Sequence, residues 1–206
     1  MTMENSSSGD CAGRLFIISA PSGAGKSTLC QLLRERLPDL RYSVSTTTRP
    51  PRNGEIEGRD YFFTDVDSFQ SGVANHQWAE WAEVHGHYYG TSAAFIDAQR
   101  AAGHDLLLDI DVQGAAQLRA KYPDAVSIFI MPPSLAVLRQ RLEKRGADAP
   151  EVIEMRLANA RREMDQHASY QYTIVNDRLE EALADLLRIV GLPAVGGDGG
   201  DSSPSR

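Results

Sequence analysis

The chain has 206 residues, enough for one domain with a sizeable core and too few for several. Hydrophobic residues at 42% and charged residues at 24% exclude a disordered, collagenous or membrane-embedded chain. A net charge of −7 argues against a nucleic-acid polymer or an anionic membrane as the main partner.

Residues Met1 to Gly13 are polar and include three consecutive serines, so a flexible leader is expected over 1–13. The leader holds no apolar segment between a basic start and a cleavage site, so no secretory signal is expected. The two cysteines, Cys11 and Cys30, give no disulfide framework or metal-ligand spacing. A reducing compartment, the cytoplasm, is the expected location.

The apolar run Leu15-Phe16-Ile17-Ile18 predicts a buried strand, and Leu29, Leu32, Leu33 and Leu37 are spaced along one helix face. Between them stands Ala20-Pro21-Ser22-Gly23-Ala24-Gly25-Lys26-Ser27, followed by Thr28. This fits a phosphate-binding loop, with Ala20 where the stricter pattern has Gly. Strand, glycine loop and helix are the context that loop needs. Gly23 and Gly25 let consecutive N–H groups turn inward, and the helix start adds its own donors. Lys26 is placed to reach β- and γ-phosphates, and the Ser27 hydroxyl to meet Mg²⁺.

A second strand is predicted near 41–45, followed by a loop rich in hydroxyls, prolines and arginines, Thr46 to Gly54. Tyr61-Phe62-Phe63 predicts a short strand, and Asp65 to Val73 a short helix capped by Asp65 or Asp67. Trp78 to Val84 alternates at period two, which predicts a strand with Glu80 on the face of Trp78. His85-Gly86-His87 reads as a turn, and Ser92 to Ala102 as a helix closed by Gly103.

Leu106-Leu107-Leu108-Asp109-Ile110-Asp111 predicts a buried strand that delivers carboxylates at its C-terminal edge, where open parallel sheets bind ligands. Capping of the next helix, Val112 to Tyr122, accounts for at most one of the two acids. Further strands are expected at 126–131 and 172–176. Ser134 is placed to cap a helix through Arg145, a second helix starts near Glu151, and the last runs about Leu179 to Val190. Residues 191–206 read as a disordered tail.

Five strands alternating with helices, at about 14–19, 41–45, 105–111, 126–131 and 172–176, predict an α/β fold. Its parallel sheet would carry helices on both faces. Two segments depart from the alternation: a small mixed β-rich insertion at about 45–97 and an arginine-bearing helical flap at about 136–165. In the insertion, Arg49, Arg52, Tyr61 and Tyr89 offer two guanidinium forks and two phenols, a set suited to a second phosphate.

The ordered motifs resemble guanylate kinase of the bacterial type. They are Ile18 to Thr28, Thr47-Thr48-Arg49-x-x-Arg52-x-Gly54-Glu55, Gly58-x-Asp60-Tyr61-x-Phe63, Tyr88-Tyr89-Gly90-Thr91, Leu108-Asp109-Ile110-Asp111-x-Gln113-Gly114, Arg141-Leu142-x-x-Arg145-Gly146 and Ile174-Val175-Asn176-Asp177. The resemblance covers about Arg14 to Val190 and implies a P-loop NTPase fold over 14–190. It implies that Arg49, Arg52, Tyr61 and Tyr89 hold the phosphate of GMP, and that Ser45, Glu80, Thr91 and Asp111 read guanine. It also implies that Arg141, Arg145 and Arg156 close over ATP, with Lys26 and Arg49 completing the catalytic set. Guanine presents N1–H and an exocyclic amine as donors and O6 as an acceptor. Carboxylates and hydroxyls match that pattern, and adenine reverses it.

The expected reaction is ATP + GMP giving ADP + GDP, with Mg²⁺, and dGMP as a further acceptor. The alternative is a catalytically inactive guanylate kinase-like module that binds proteins; such modules carry a degraded phosphate loop, whereas Lys26, Ser27 and the loop glycines are intact here. The oligomeric state has no sequence signal.

Overall fold

The computed structural model describes residues 12–84, 86–146 and 149–191. The expected leader, apart from Ala12 and Gly13, and the expected tail beyond Gly191 lie outside the described residues, as do Cys11 and His85. Gly13 is tied down: its N–H donates to the Arg100 carbonyl at 2.8 Å, and Arg100 Nε donates to the Gly13 carbonyl at 2.9 Å.

In chain order the elements are β1 (Leu15–Ser19), α1 (Lys26–Arg36), β2 (Arg41–Tyr42), β3 (Thr46–Thr47), β4 (Phe62–Phe63), α2 (Val66–Ala74), β5 (Trp78–Val84), β6 (His87–Ser92) and α3 (Ala93–Ala101). They continue with β7 (Leu106–Asp109), α4 (Val112–Lys121), β8 (Val126–Met131), α5 (Leu135–Arg145), α6 (Pro150–Met164), β9 (Tyr172–Val175) and α7 (Leu179–Gly191). The main sheet is five-stranded and parallel, in the order β2-β7-β1-β8-β9. Alternation along β1 sends Phe16 and Ile18 into a cluster with Leu29 and Leu33 of α1 and Leu186 of α7. Leu15 and Ile17 join Ile96 of α3 and Ala115 and Leu118 of α4 on the other face. The result is three layers, with the expected helices on both faces of the sheet.

Two predicted strands end early, for physical reasons that bear on the site. The strand expected over 41–45 pairs in the main sheet only through Arg41–Tyr42, with Ser43 N–H still reaching the Leu107 carbonyl at 2.9 Å. The chain then crosses into a second, mixed sheet, β4-β3-β6-β5, which spans Thr46 to Ser92. The strand expected to reach Asp111 ends at Asp109, because Asp111 is taken up as the N-cap of α4, its carboxylate accepting from Gly114 N–H at 2.8 Å.

Helices α5 and α6 pack as a hairpin on Leu138, Leu142, Ile153, Leu157 and Ala160. Ser134 caps α5 through Val137 N–H at 3.1 Å, and Gly146 closes it in the left-handed region. Pro150 opens α6 at a position where its missing N–H costs nothing.

Candidate active site

The glycine loop leaves the C-terminal end of β1, the central strand, and feeds α1. Gly23 and Gly25 adopt φ of 90° and 95°, values that a side chain would strain. Gly25 has a second constraint: a Cβ there would lie 2.3 Å from the side-chain nitrogen of Asn176. The turn is closed by Ala24 N–H on the Pro21 carbonyl at 3.0 Å. Ala20 and Ala24 are buried in the core beneath the loop, and Ser22, Ser27 and Thr28 are exposed at its mouth.

Lys26 Nζ donates to the Ile110 carbonyl at 3.0 Å and forms an ion pair with Asp109. Burial pulls the Lys26 ammonium down, but the Asp109 carboxylate more than offsets this and holds it above its ordinary value. Asp109 sits on β7 beside β1, in register with Ile18, so neighbouring strands set this pair at the sheet edge. Sequence reading placed Asp109 at that edge without a partner; the adjacency of two strands far apart in sequence supplies it.

Arg49 is 8% exposed and held at every nitrogen. Nη2 donates to both oxygens of Glu55 at 2.8 and 3.0 Å, Nη1 to the Pro50 carbonyl at 2.8 Å, and Nε to the Tyr89 hydroxyl at 3.2 Å. Its guanidinium lies 5.4 Å from the centre of the Tyr61 ring, and Tyr61 meets Tyr89 edge-on at 5.9 Å. Glu55 also accepts from the Arg52 N–H at 2.7 Å, while the Arg52 side chain is exposed. The Arg49 hydrogen bonds hold Glu55 below the usual carboxylate range. Glu55 had no assigned role from sequence; its spacing, three residues after Arg52, is the signal that could have found it.

The acids and hydroxyls form a second group. Glu80 is 5% exposed and accepts from the Thr91 hydroxyl at 2.5 Å. Burial pushes the Glu80 carboxyl up to about 7; the Thr91 hydrogen bond works against that shift and the nearby Asp111 charge adds to it. A register shift between Trp78 and Glu80 corrects the expected alternation. Ala79 and Glu80 are both buried, and Trp78 stacks on Phe69 at 4.7 Å. Ser45 is half-buried in the link between β2 and β3, its carbonyl accepting from Phe62 N–H at 2.9 Å.

The flap arginines are dispersed. Arg141 reaches back to the loop, with Nη2 on the Asn176 carbonyl at 2.8 Å and Nη1 on the Ala24 carbonyl at 3.4 Å. Arg156 lies 3.5 Å from the Ser22 hydroxyl. Arg145 occupies the last turn of α5, and its side chain is outside what the structure describes. A cleft of about 510 Å³ is lined by Ser27, Arg34, Glu55, Arg59, Tyr61 and Asp109 among others. Among the described residues no helix is long and apolar enough to cross a membrane.

The family model "Guanylate kinase" matches residues 12–191. The chain is 50% identical over 179 residues to the guanylate kinase of Dechloromonas aromatica, covering 87% of this chain and 89% of that protein. It is 52% identical over 178 residues to the guanylate kinase of Psychrobacter arcticus, covering 86% of each. Among solved structures, guanylate kinase from Anaplasma phagocytophilum matches with a TM-score of 0.71 at 34% identity, covering 87% of this chain and 85% of that one.

Proposed function

The chain belongs to the guanylate kinase family, and from that premise we propose how its residues carry the γ-phosphoryl group of ATP to GMP. The enzyme is an ATP:GMP phosphotransferase, yielding ADP and GDP. Nothing favours the inactive protein-binding alternative. The observation that supports the residue assignment is the grouping of the acceptor residues: Arg49 donates to the Tyr89 hydroxyl at 3.2 Å beside the Tyr61 ring, and the Thr91 hydroxyl donates to Glu80 at 2.5 Å.

ATP is proposed to lay its β- and γ-phosphates in the loop Ala20 to Thr28, with Lys26 turning from Asp109 toward them. The phosphate of GMP is proposed to sit among Arg49, Arg52, Tyr61 and Tyr89, and its guanine against Ser45, Glu80, Thr91 and Asp111. The acceptor oxygen is already anionic, so the transfer needs no strong general base. The residues align the two phosphates and offset the charge that develops between them, with Lys26, Arg49, Arg141, Arg145 and Arg156 supplying positive charge.

Mg²⁺ fits the donor set: the Ser27 hydroxyl and the Asp109 carboxylate line the same cleft, and both are hard oxygens. When bound with ATP, the ion neutralises charge on the β- and γ-oxygens. Among the described residues no cluster of three or more His, Cys, Asp or Glu forms a metal cage, so the ion would share its coordination with phosphate and water.

The β-rich insertion at about 45–97 and the α5–α6 flap at about 136–165 are proposed to close over the paired nucleotides and keep water from the phosphoryl group. A cytoplasmic site of action accords with the low cysteine count. A coupled assay with GMP, dGMP, AMP and UMP tests the reading; the expected result is turnover of GMP and dGMP, and no turnover of GMP would overturn it.

A further inference from the structure

Helix α4 meets Asp111, Glu80 and the neighbouring Trp81 at three positions about one turn apart. Asp111 caps it, and the Gly114 N–H holds one oxygen of that cap. At Gly114 the helix comes so close to β5 that a Cβ would lie 2.3 Å from the second oxygen of Glu80 and 2.9 Å from its carboxyl carbon. A side chain there would push the Glu80 carboxyl out of its place. One turn later, the Gln117 amide bonds both backbone groups of Trp81, the residue after Glu80. Trp81 N–H donates to Gln117 Oε1 at 3.2 Å, and Gln117 Nε2 donates to the Trp81 carbonyl at 2.8 Å.

β5 is an edge strand of the second sheet. Its outer backbone groups would otherwise pair only with water, and the Gln117 amide, carrying one acceptor and one donor side by side, pairs with them as a neighbouring strand would. Helix α4 of the core and the second sheet are thereby stitched together at the residue next to Glu80. The pair of carboxylates spans this stitch: Asp111 belongs to the core and Glu80 to the insertion. Each is anchored by one oxygen, Asp111 to Gly114 N–H and Glu80 to the Thr91 hydroxyl.

We propose that Gly114 and Gln117 are positioning residues for base selection, locking the α4–β5 seam so that Glu80 and Asp111 stand at the separation two adjacent guanine donors require. The proposal rests on the reading that these two acids accept from guanine. Loosening the seam costs guanine, with N1–H and an exocyclic amine, more than hypoxanthine, which keeps only N1–H.

The test compares GMP with inosine monophosphate in steady-state kinetics on the full chain. Gln117→Ala is expected to lower the GMP-to-IMP ratio of kcat/KM by about fivefold, the scale of one to two modest hydrogen bonds, with KM for ATP unchanged. Gly114→Ala is expected to lower it further; should that variant fail to fold, Gln117→Ala carries the test alone. Glu80→Ala is the reference. If Glu80→Ala collapses the ratio and Gln117→Ala leaves it intact, the seam does not position the acid and the proposal is overturned. If Gln117→Ala lowers the melting temperature and raises every KM at a constant ratio, its role is structural and the proposal is likewise overturned. If Glu80→Ala itself leaves the ratio unchanged, the guanine assignment falls, and the proposal with it.

Discussion

The side-chain nitrogen of Asn176 donates to the carbonyl of Ala24 at 2.7 Å, tying the residue after β9 into a loop 152 positions earlier. Arg141 then grips both partners, through the Asn176 carbonyl at 2.8 Å and the Ala24 carbonyl at 3.4 Å. The bend of the glycine loop is held by the sheet edge on one side and the flap on the other.

Asn176→Ala removes the direct tie and leaves the Ala24 carbonyl with the longer Arg141 contact alone. A buried hydrogen bond of this kind contributes about 1 kcal/mol, so KM for ATP is expected to rise about fivefold. KM for GMP should stay within about twofold, since Asn176 and Ala24 bond to none of the acceptor residues. Equal effects on both substrates would contradict a role confined to the loop.

Lys26 and Asp109 supply a separable test of stability and activity. Lys26→Met should lower kcat by on the order of a thousandfold or more, as loss of a charge at the transferring group does. It also strands the Asp109 carboxylate without its cation, so the melting temperature should fall. Adding Asp109→Asn should restore the melting temperature without restoring turnover. Thermal melts and single-turnover assays on both variants read the two effects independently.

Glu55 is expected to act through Arg49. Glu55→Gln keeps the shape but gives up the charge that orients Nη2 and one acceptor shared with the Arg52 N–H. KM for GMP should rise about tenfold, the scale of a charge-assisted hydrogen bond, and KM for ATP should not change. A variant with unaltered GMP kinetics would remove Glu55 from the site.

Glu80 couples function to pH and to stability. Its folded value of about 7 stands above the 4.5 of an ordinary glutamate, so the folded chain binds this proton more tightly than the unfolded chain does. The sign follows: the stabilising contribution is full below about pH 4.5 and is lost as pH rises through 7, on the order of 3 kcal/mol in all. Glu80→Gln should therefore melt higher than the parent at pH 8, with the gap shrinking toward pH 5. In the parent, KM for GMP should rise as pH falls below about 7, where the protonated acid no longer accepts through both oxygens. The facing groups, Asp111 and Thr91, remain in the variant, and GMP's own phosphate titrates equally in both, so the variant should lack this component. Identical pH profiles would argue against ionised Glu80 as a base reader.

The sequence by itself determined the features that depend on neighbours along the chain. The glycine loop is one contiguous stretch between a strand and a helix, and its letters specify its shape. The alternation of apolar runs specified five parallel strands and the helices that cover them. The Ser134 cap was legible because a cap and its target lie three residues apart, and the structure decides between Asp65 and Asp67 in favour of Asp65.

Only the tertiary structure decided how close distant segments come. The Lys26–Asp109 pair depends on β7 lying beside β1, and the early end of β7 on Asp111 being drawn into α4. The bulge that buries Ala79 beside Glu80 breaks the alternation that local reading assumes. Gly114 looks like a helix-weakening residue until β5 is seen pressed against it, and Gln117 looks like a solvated surface residue until its amide is found on the backbone of Trp81. Periodicity records which face of an element is apolar; it carries no record of the distance at which two elements meet, and that distance brings Gly114 against the Glu80 carboxyl.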